Sequence, residues 1–204
     1  MSSFLDLDLR SVLSELRSRD YVASHEALGA PQETFRTNEH GYRRLDDHSL
    51  LHAMNFEAGE SYSLTMARTD LVCIQILING SYSRSVADRV DVMTPNAVLI
   101  TNSPQSTSDV QAGMKLRGVL IVMERQYLLD HFKLNVDKIP AAYRPLFLKK
   151  TGLGAGLNLP PTMAVVAAAD QLLSCKFGEP LRGIYMQLKA TEIICEIVAQ
   201  VNAL

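Results

Sequence analysis

The stretch LVCIQILING (71–80) decides the fold class. Val72, Ile74, Ile76 and Ile78 fall on one face of a strand, and Cys73, Gln75 and Leu77 on the other. The run is apolar on both faces, so the pattern alone does not say which face points inward. It ends in Asn79-Gly80, a strong hairpin signal, because both central residues of a type I′ turn need positive φ. SYSRSV (81–86) then reads as the return strand.

Working outward, LLHAMNF (50–56) and SYSLTMA (61–67) are further strand-like runs. Glu57-Ala58-Gly59-Glu60 joins them as a short, Gly-containing hairpin connection. Downstream, Asp91 to Asn96 turns through a Pro-Asn pair into AVLIT (97–101), and a polar turn (102–113) leads to MKLRGVLIVM (114–123). About six short strands at this spacing predict an antiparallel barrel or sandwich rather than βαβ units.

Helical spacing brackets the strands. Leu5, Leu9, Val12, Leu13 and Leu16 predict a short amphipathic helix at the N-terminus, and 20–48 reads as loop or extended edge. RQYLLDHF (125–132) and AAYRPLFL (141–148) read as helical. KKTGLGAGLNLPP (149–161) reads as a flexible linker, and Pro161 to Lys176 as a second helix. The last run, EPLRGIYMQLKATEIICEIVAQVNAL (179–204), predicts a helix of about six turns that completes an antiparallel helical hairpin. Its apolar stripe is wider than the roughly 100° that packing on one surface needs. The surplus predicts a homodimer, with Leu181, Ile184, Leu188, Thr191 and Cys195 toward the partner and Ile193, Ile197 and Val201 toward the domain. The expected boundaries are a lead-in (1–48), a β-barrel (49–124) and a helical region (125–204) within one structural domain.

The 204 residues are 47% hydrophobic and 21% charged, with a net charge of −2. That balance supplies a core and offers no basic face for a phosphate backbone. No basic lead with an apolar run opens the chain, and no apolar stretch reaches the ~18 residues of a membrane span, so a cytoplasmic protein is expected. Three cysteines, at 73, 175 and 195, are read as buried, reduced thiols.

Catalytic patterns are weak. Gly152-Leu153-Gly154-Ala155-Gly156 lacks the glycine offset and the adjoining helix of a phosphate loop, and reads as linker. His48 and His52 share a strand face but stand well over 10 Å apart, and 94–98 offers no histidine, so no metal centre or other cofactor is expected. Cys73, mid-strand among apolar residues, reads as an inert core thiol.

LRGIYMQLKATEIICEIVAQV (181–201) is similar to a helix, of pattern LRxLYLEAKALELLALLL, that follows the cupin-like barrel in AraC-family bacterial transcription regulators. Leu181-Arg182, Ile184-Tyr185, Leu188-Lys189-Ala190 and Glu192-Ile193-Ile194 occupy the matching places. IQILINGSYSRSVADR and TPNAVLITNSP resemble the barrel's hairpin and its following PGDxxLxxP strand, so the resemblance covers roughly 45–204.

It implies an α+β fold, an antiparallel cupin-like barrel followed by a helical hairpin. It also implies a non-enzymatic domain that binds a small-molecule effector and dimerises. The expected ligand-binding residues are His52, Met54, Tyr62, Met66, Gln75 and Arg117. The family's two helix-turn-helix units do not follow Leu204, so the chain is expected to be an excised regulatory half that meets DNA only through a C-terminal domain. Two alternatives stay open: a metal-dependent cupin-type enzyme, which bound metal would reveal, and a stand-alone partner-binding cupin module.

Overall fold

The computed structural model describes residues 3–87, 89–95, 97–148 and 156–204. The strands are β1 (Ser3–Asp8), β2 (Tyr21–Ala23), β3 (Phe35–Arg44), β4 (Ser49–Ala58), β5 (Tyr62–Ala67) and β6 (Leu71–Asn79), then β7 (Tyr82–Val86), β8 (Arg89–Met93), β9 (Val98–Thr101), β10 (Gln105–Val110), β11 (Lys115–Glu124) and β12 (Gly156–Leu159). The helices are α1 (Leu9–Glu15), α2 (Ser24–Leu28), α3 (Arg125–His131), α4 (Pro145–Leu148), α5 (Met163–Leu173) and α6 (Leu181–Asn202).

Two sheets face each other. One has the order β1-β5-β10-β7-β8 and the other β12-β9-β6-β11-β4-β3-β2. The pairs are antiparallel except β1–β5, which is parallel. Among the described residues no strand pair joins the sheets, so the α+β class holds but the closed barrel does not.

The seven-stranded sheet explains why LVCIQILI is apolar on both faces. Val72, Ile74 and Ile76 pack under α5 and α6 in one core, while Leu71, Cys73 and Leu77 point between the sheets into a second. Neighbouring β11 divides in the same way, with Val119, Ile121 and Met123 outward and Leu116, Leu120 and Val122 inward. The chain thus makes three layers: the five-stranded sheet, the seven-stranded sheet, and helices.

Both hairpins expected around this strand are corners between sheets. Asn79-Gly80 leads from β6 in one sheet to β7 in the other, and 59–61 leads from β4 to β5 in the same way. Gly80 does take positive φ, +89°, but it lies against the Lys115 carbonyl, 2.3 Å from where a Cβ would stand. The turn chemistry is as expected, and only its topological use differs.

Other expectations are corrected. SFLDLD (3–8) forms a strand, β1, before α1 begins at Leu9, where the Asp8 carboxylate caps the Arg10 N–H at 3.0 Å. Residues 20–48, expected as loop or extended edge, supply the edge strand β2 and the ten-residue β3 beside it, but also the helix α2. Residues 89–93 form β8 rather than leading straight into a turn, and only 145–148 of the segment 141–148 is α-helical. Of the expected linker, 149–155 lies outside the described residues, together with most of the glycine-rich run. Residues 156–159 form β12 on β9. Cys73 is buried, but Cys175 is partly exposed and Cys195 exposed, all as free thiols.

α5 and α6 pack on each other and on the outer face of the seven-stranded sheet. The Thr162 hydroxyl caps α5 by accepting from Val165 N at 3.2 Å. Arg43 of β3 pairs with Glu179 at 2.5 Å, and Gln187 donates to the Leu45 carbonyl at 2.8 Å, which fixes the first turns of α6 to the sheet.

Candidate functional site

Period-two alternation along β4 puts His52, Met54 and Phe56 on the inner face of the large sheet. In register beside them, β3 sets Tyr42 opposite His52 and His40 opposite Met54. The rings stack in series. Tyr42 and His52 lie 4.2 Å apart between centroids at 14°, His40 and Phe56 4.1 Å apart at 24°, and the two imidazoles 4.9 Å apart. Phe35 stands edge-on to His40, Phe56 and Tyr62. The Ser24 hydroxyl meets His52 Nε2 at 3.2 Å.

The facing sheet contributes Tyr62 and Met66 from β5, Tyr82 from β7 and Ser108 from β10. Gln75, the one polar residue on the inner side of the 71–78 strand run, donates to the Tyr82 hydroxyl. Together these groups line a cavity of about 40 Å³. A water needs roughly 10–15 Å³, so the space is small, on the order of a few waters.

Five of the six expected ligand residues line this cavity: His52, Met54, Tyr62, Met66 and Gln75. Arg117 does not. It leaves the sheet on the helix side, pairs with Asp170 of α5 and donates to the Ser174 hydroxyl at 2.8 Å. Sequence reading missed His40, Tyr42, Tyr82 and Ser108. His40 and Tyr42 alternate with Gly41 and Arg43, the one visible sign that this segment was a strand.

Three buried polar atoms of the lining have no hydrogen-bond partner: His40 Nδ1, Tyr42 Oη and Ser108 Oγ. Leaving such an atom dry and unpaired costs about 1–3 kcal/mol. Burial pushes the His52 pKa down to about 3 and, with help from His52 and His25, holds His40 well below the usual imidazole range. It raises Tyr42 and Tyr62 far above the usual phenol range. The cavity therefore offers neutral donors and acceptors at physiological pH.

Catalytic chemistry finds little support in it. An imidazole with a pKa near 3 is a poor base for Ser24 at neutral pH. The Cys73 thiol is pushed up by burial against the pull of Arg68 and Arg84. Among the described residues no group of three His, Cys, Asp or Glu side chains is placed to hold a metal ion. No described helix is long and apolar enough to cross a membrane.

Two facing sheets with a small, polar-dotted cavity between them, and a helical pair on the outside, make up the domain. Residues 40–203 match the model of the regulatory protein PchR N-terminal domain, and the chain belongs to that family. It is a regulatory domain of the AraC type of transcription regulator, in agreement with the motif of α6.

Among solved structures it is similar to an apo form of ToxT from Vibrio cholerae, at 10% identity and a TM-score of 0.46 over 82% of this chain and 59% of that one. The AraC-like transcriptional activator CuxR matches at 14% identity and a TM-score of 0.45, over 96% and 66%. ToxT with an unsaturated fatty acid bound matches at 9% and 0.43, over 78% and 58%. These likenesses are loose, and the family match carries the assignment. The chain spans 59% and 66% of the length of the first two. No curated protein matches it.

Proposed function

We propose that this domain senses a small molecule in the cavity between its sheets and pairs two subunits through α6. The observation that carries the sensing half is the trio of unpartnered buried atoms, His40 Nδ1, Tyr42 Oη and Ser108 Oγ, converging on one cavity. Unsatisfied polar atoms around an apolar space are what a ligand's few polar groups complete. The space is too small for a metabolite as it stands, so entry displaces side chains. Met54 and Met66 are the adaptable members of the lining. As the AraC resemblance implies, contact with DNA belongs to a separate reading domain, and the effector acts by favouring one arrangement of the subunits.

Pairing is supported by the outer row of α6. Leu181, Ile184 and Leu188 are 60%, 54% and 65% exposed, and Thr191 and Cys195 continue the row. Steps of three and four residues make this the seam of a two-helix contact. The opposite row, with Met186, Ala190, Ile193, Ile197 and Val201, is buried in the domain.

A thermal-shift screen of metabolites, with light scattering on the same protein, tests both halves. A ligand should raise the melting temperature, and the wild type should be a dimer. Leu188→Glu should weaken the dimer by a factor of about 100 or more, because an unpaired carboxylate costs several kcal/mol to bury. The exposed position leaves the monomer's fold intact. A monomeric wild type, or an unchanged dimer in Leu188→Glu, removes the pairing proposal.

A further inference from the structure

The sandwich interior also holds two cations. Arg68, just after β5, is 2% exposed, and Arg84 on β7 is 4% exposed. Elsewhere buried Arg43 meets the Glu179 carboxylate, and half-buried Arg125 meets Asp70. Among the described residues this pair has none within ion-pair distance. Arg68 donates to the Ser106 hydroxyl and Arg84 to the Thr101 hydroxyl at 3.4 Å, and both acceptors are neutral. Arg68 Nε is buried with no partner at all.

The Arg68 guanidinium is close enough to act on that of Arg84. Burial first, and Arg68 second, lower the Arg84 pKa to about 10, and Asp91 offsets this least of the groups nearby. A buried charge without a counter-charge is costly, and buried charges are ordinarily paired.

The pair lies beyond the cavity wall, next to residues that line it but not itself among them. Arg84 lies two residues beyond Tyr82 on the same strand face, and directly across from Ser108, whose unpartnered hydroxyl lines the cavity. Ser106, which accepts from Arg68, is the next inward residue along β10. One inward step along a strand is about 7 Å. The interior therefore runs from an aromatic end at His40, Tyr42, His52 and Phe56 to a cationic end at Arg68 and Arg84.

We infer that the effector is a small amphipathic carboxylate, its anionic group between Arg68 and Arg84 and its apolar or aromatic body against the stacked rings. This deepens the sensing proposal and rests on it. A planar carboxylate accepts the guanidinium fork in paired hydrogen bonds, and a single charge costs less to bring out of water than a phosphate dianion.

The test compares three probes on the whole chain at matched ionic strength: 3-phenylpropionate, 3-phenylpropanol and inorganic phosphate. At a hundredfold excess over its Kd the acid should raise the melting temperature by about 5 °C or more. The alcohol and phosphate should do markedly less. Arg84→Lys should retain the preference for the acid, and Arg84→Met should lose it.

Without ligand, Arg84→Met should melt higher than wild type, because an unanswered buried charge is gone. A purely structural arginine would make it melt lower or fail to fold, which overturns the inference. An acid no better than the alcohol or phosphate also overturns it. If acid and alcohol stabilise equally, the cavity still binds ligands and only the anion site is lost. If no probe binds, the sensing proposal loses its support as well.

Discussion

Burial does to His40 and His52 what it does to any imidazole with no acid beside it: the neutral form wins in the folded state. The unfolded chain takes up these protons near pH 6.5, whereas folded His52 does so only near 3. Between those values the unfolded state binds more protons. Stability is therefore full above pH 6.5 and falls as the pH drops below it, by about 1.4 kcal/mol per pH unit for each group. Urea unfolding between pH 6.5 and 5, above the carboxylate range, reads this directly. His52→Gln, which keeps a polar partner for Ser24, should lose about half of the slope. An unchanged slope would show that His52 is protonated in the native state. His52 was legible as a lining residue because it alternates cleanly with its neighbours on β4. His40 and Tyr42 were not, because the register of β3 shifts between Thr37 and Glu39. That bulge moves the inward row from Phe35 and its parity to His40 and Tyr42, and no period survives it.

Elements show where pattern and topology part. LVCIQILI is read correctly as a strand apolar on both faces, yet the pattern left open which face points inward and cannot say that helices cover the other. FLDLDL satisfies a period of two over 4–9, while Leu5, Leu9 and Val12 also satisfy a helical one. The parallel seat on β5, Leu5 opposite Leu64, settles it as a strand. Asn79-Gly80 marks a tight turn wherever it occurs, and whether the next strand joins the same sheet depends on partners far along the chain. Gly80 has both positive φ and a carbonyl in the space of a Cβ, whereas Gly113 has φ +78° and open space around it. Gly113→Ala should cost about 1 kcal/mol in chemical denaturation, from the backbone alone. Gly80→Ala should cost about 3 kcal/mol or more, since the Lys115 carbonyl must also move. Equal losses would mean that the corner is looser than its contacts indicate. The outer row of α6 was legible in full, because a 22-residue helix averages out local accidents of sequence.

Across the whole molecule, the seven-stranded sheet is a wall between two cores. On one side lie α5, α6 and the seam proposed to join two subunits, and on the other lies the cavity. A molecule entering the cavity presses on Gln75 and Leu120, and the same strands carry Ile74, Ile76, Val119 and Ile121 against the helices. That layout offers a short physical path from ligand to subunit contact, and nothing in the composition revealed it. The central proposal is that a ligand lodges in the cavity between the sheets. Methyl NMR on methionine-labelled protein tests this most directly, using a compound that raises the melting temperature. Met54 and Met66 line the cavity, Met186 lies in the other core at 1% exposure, and Met163 is 84% exposed. The account predicts large, saturable shifts at Met54 and Met66, a smaller one at Met186 and none at Met163. Saturating ligand that leaves Met54 and Met66 unmoved would contradict it.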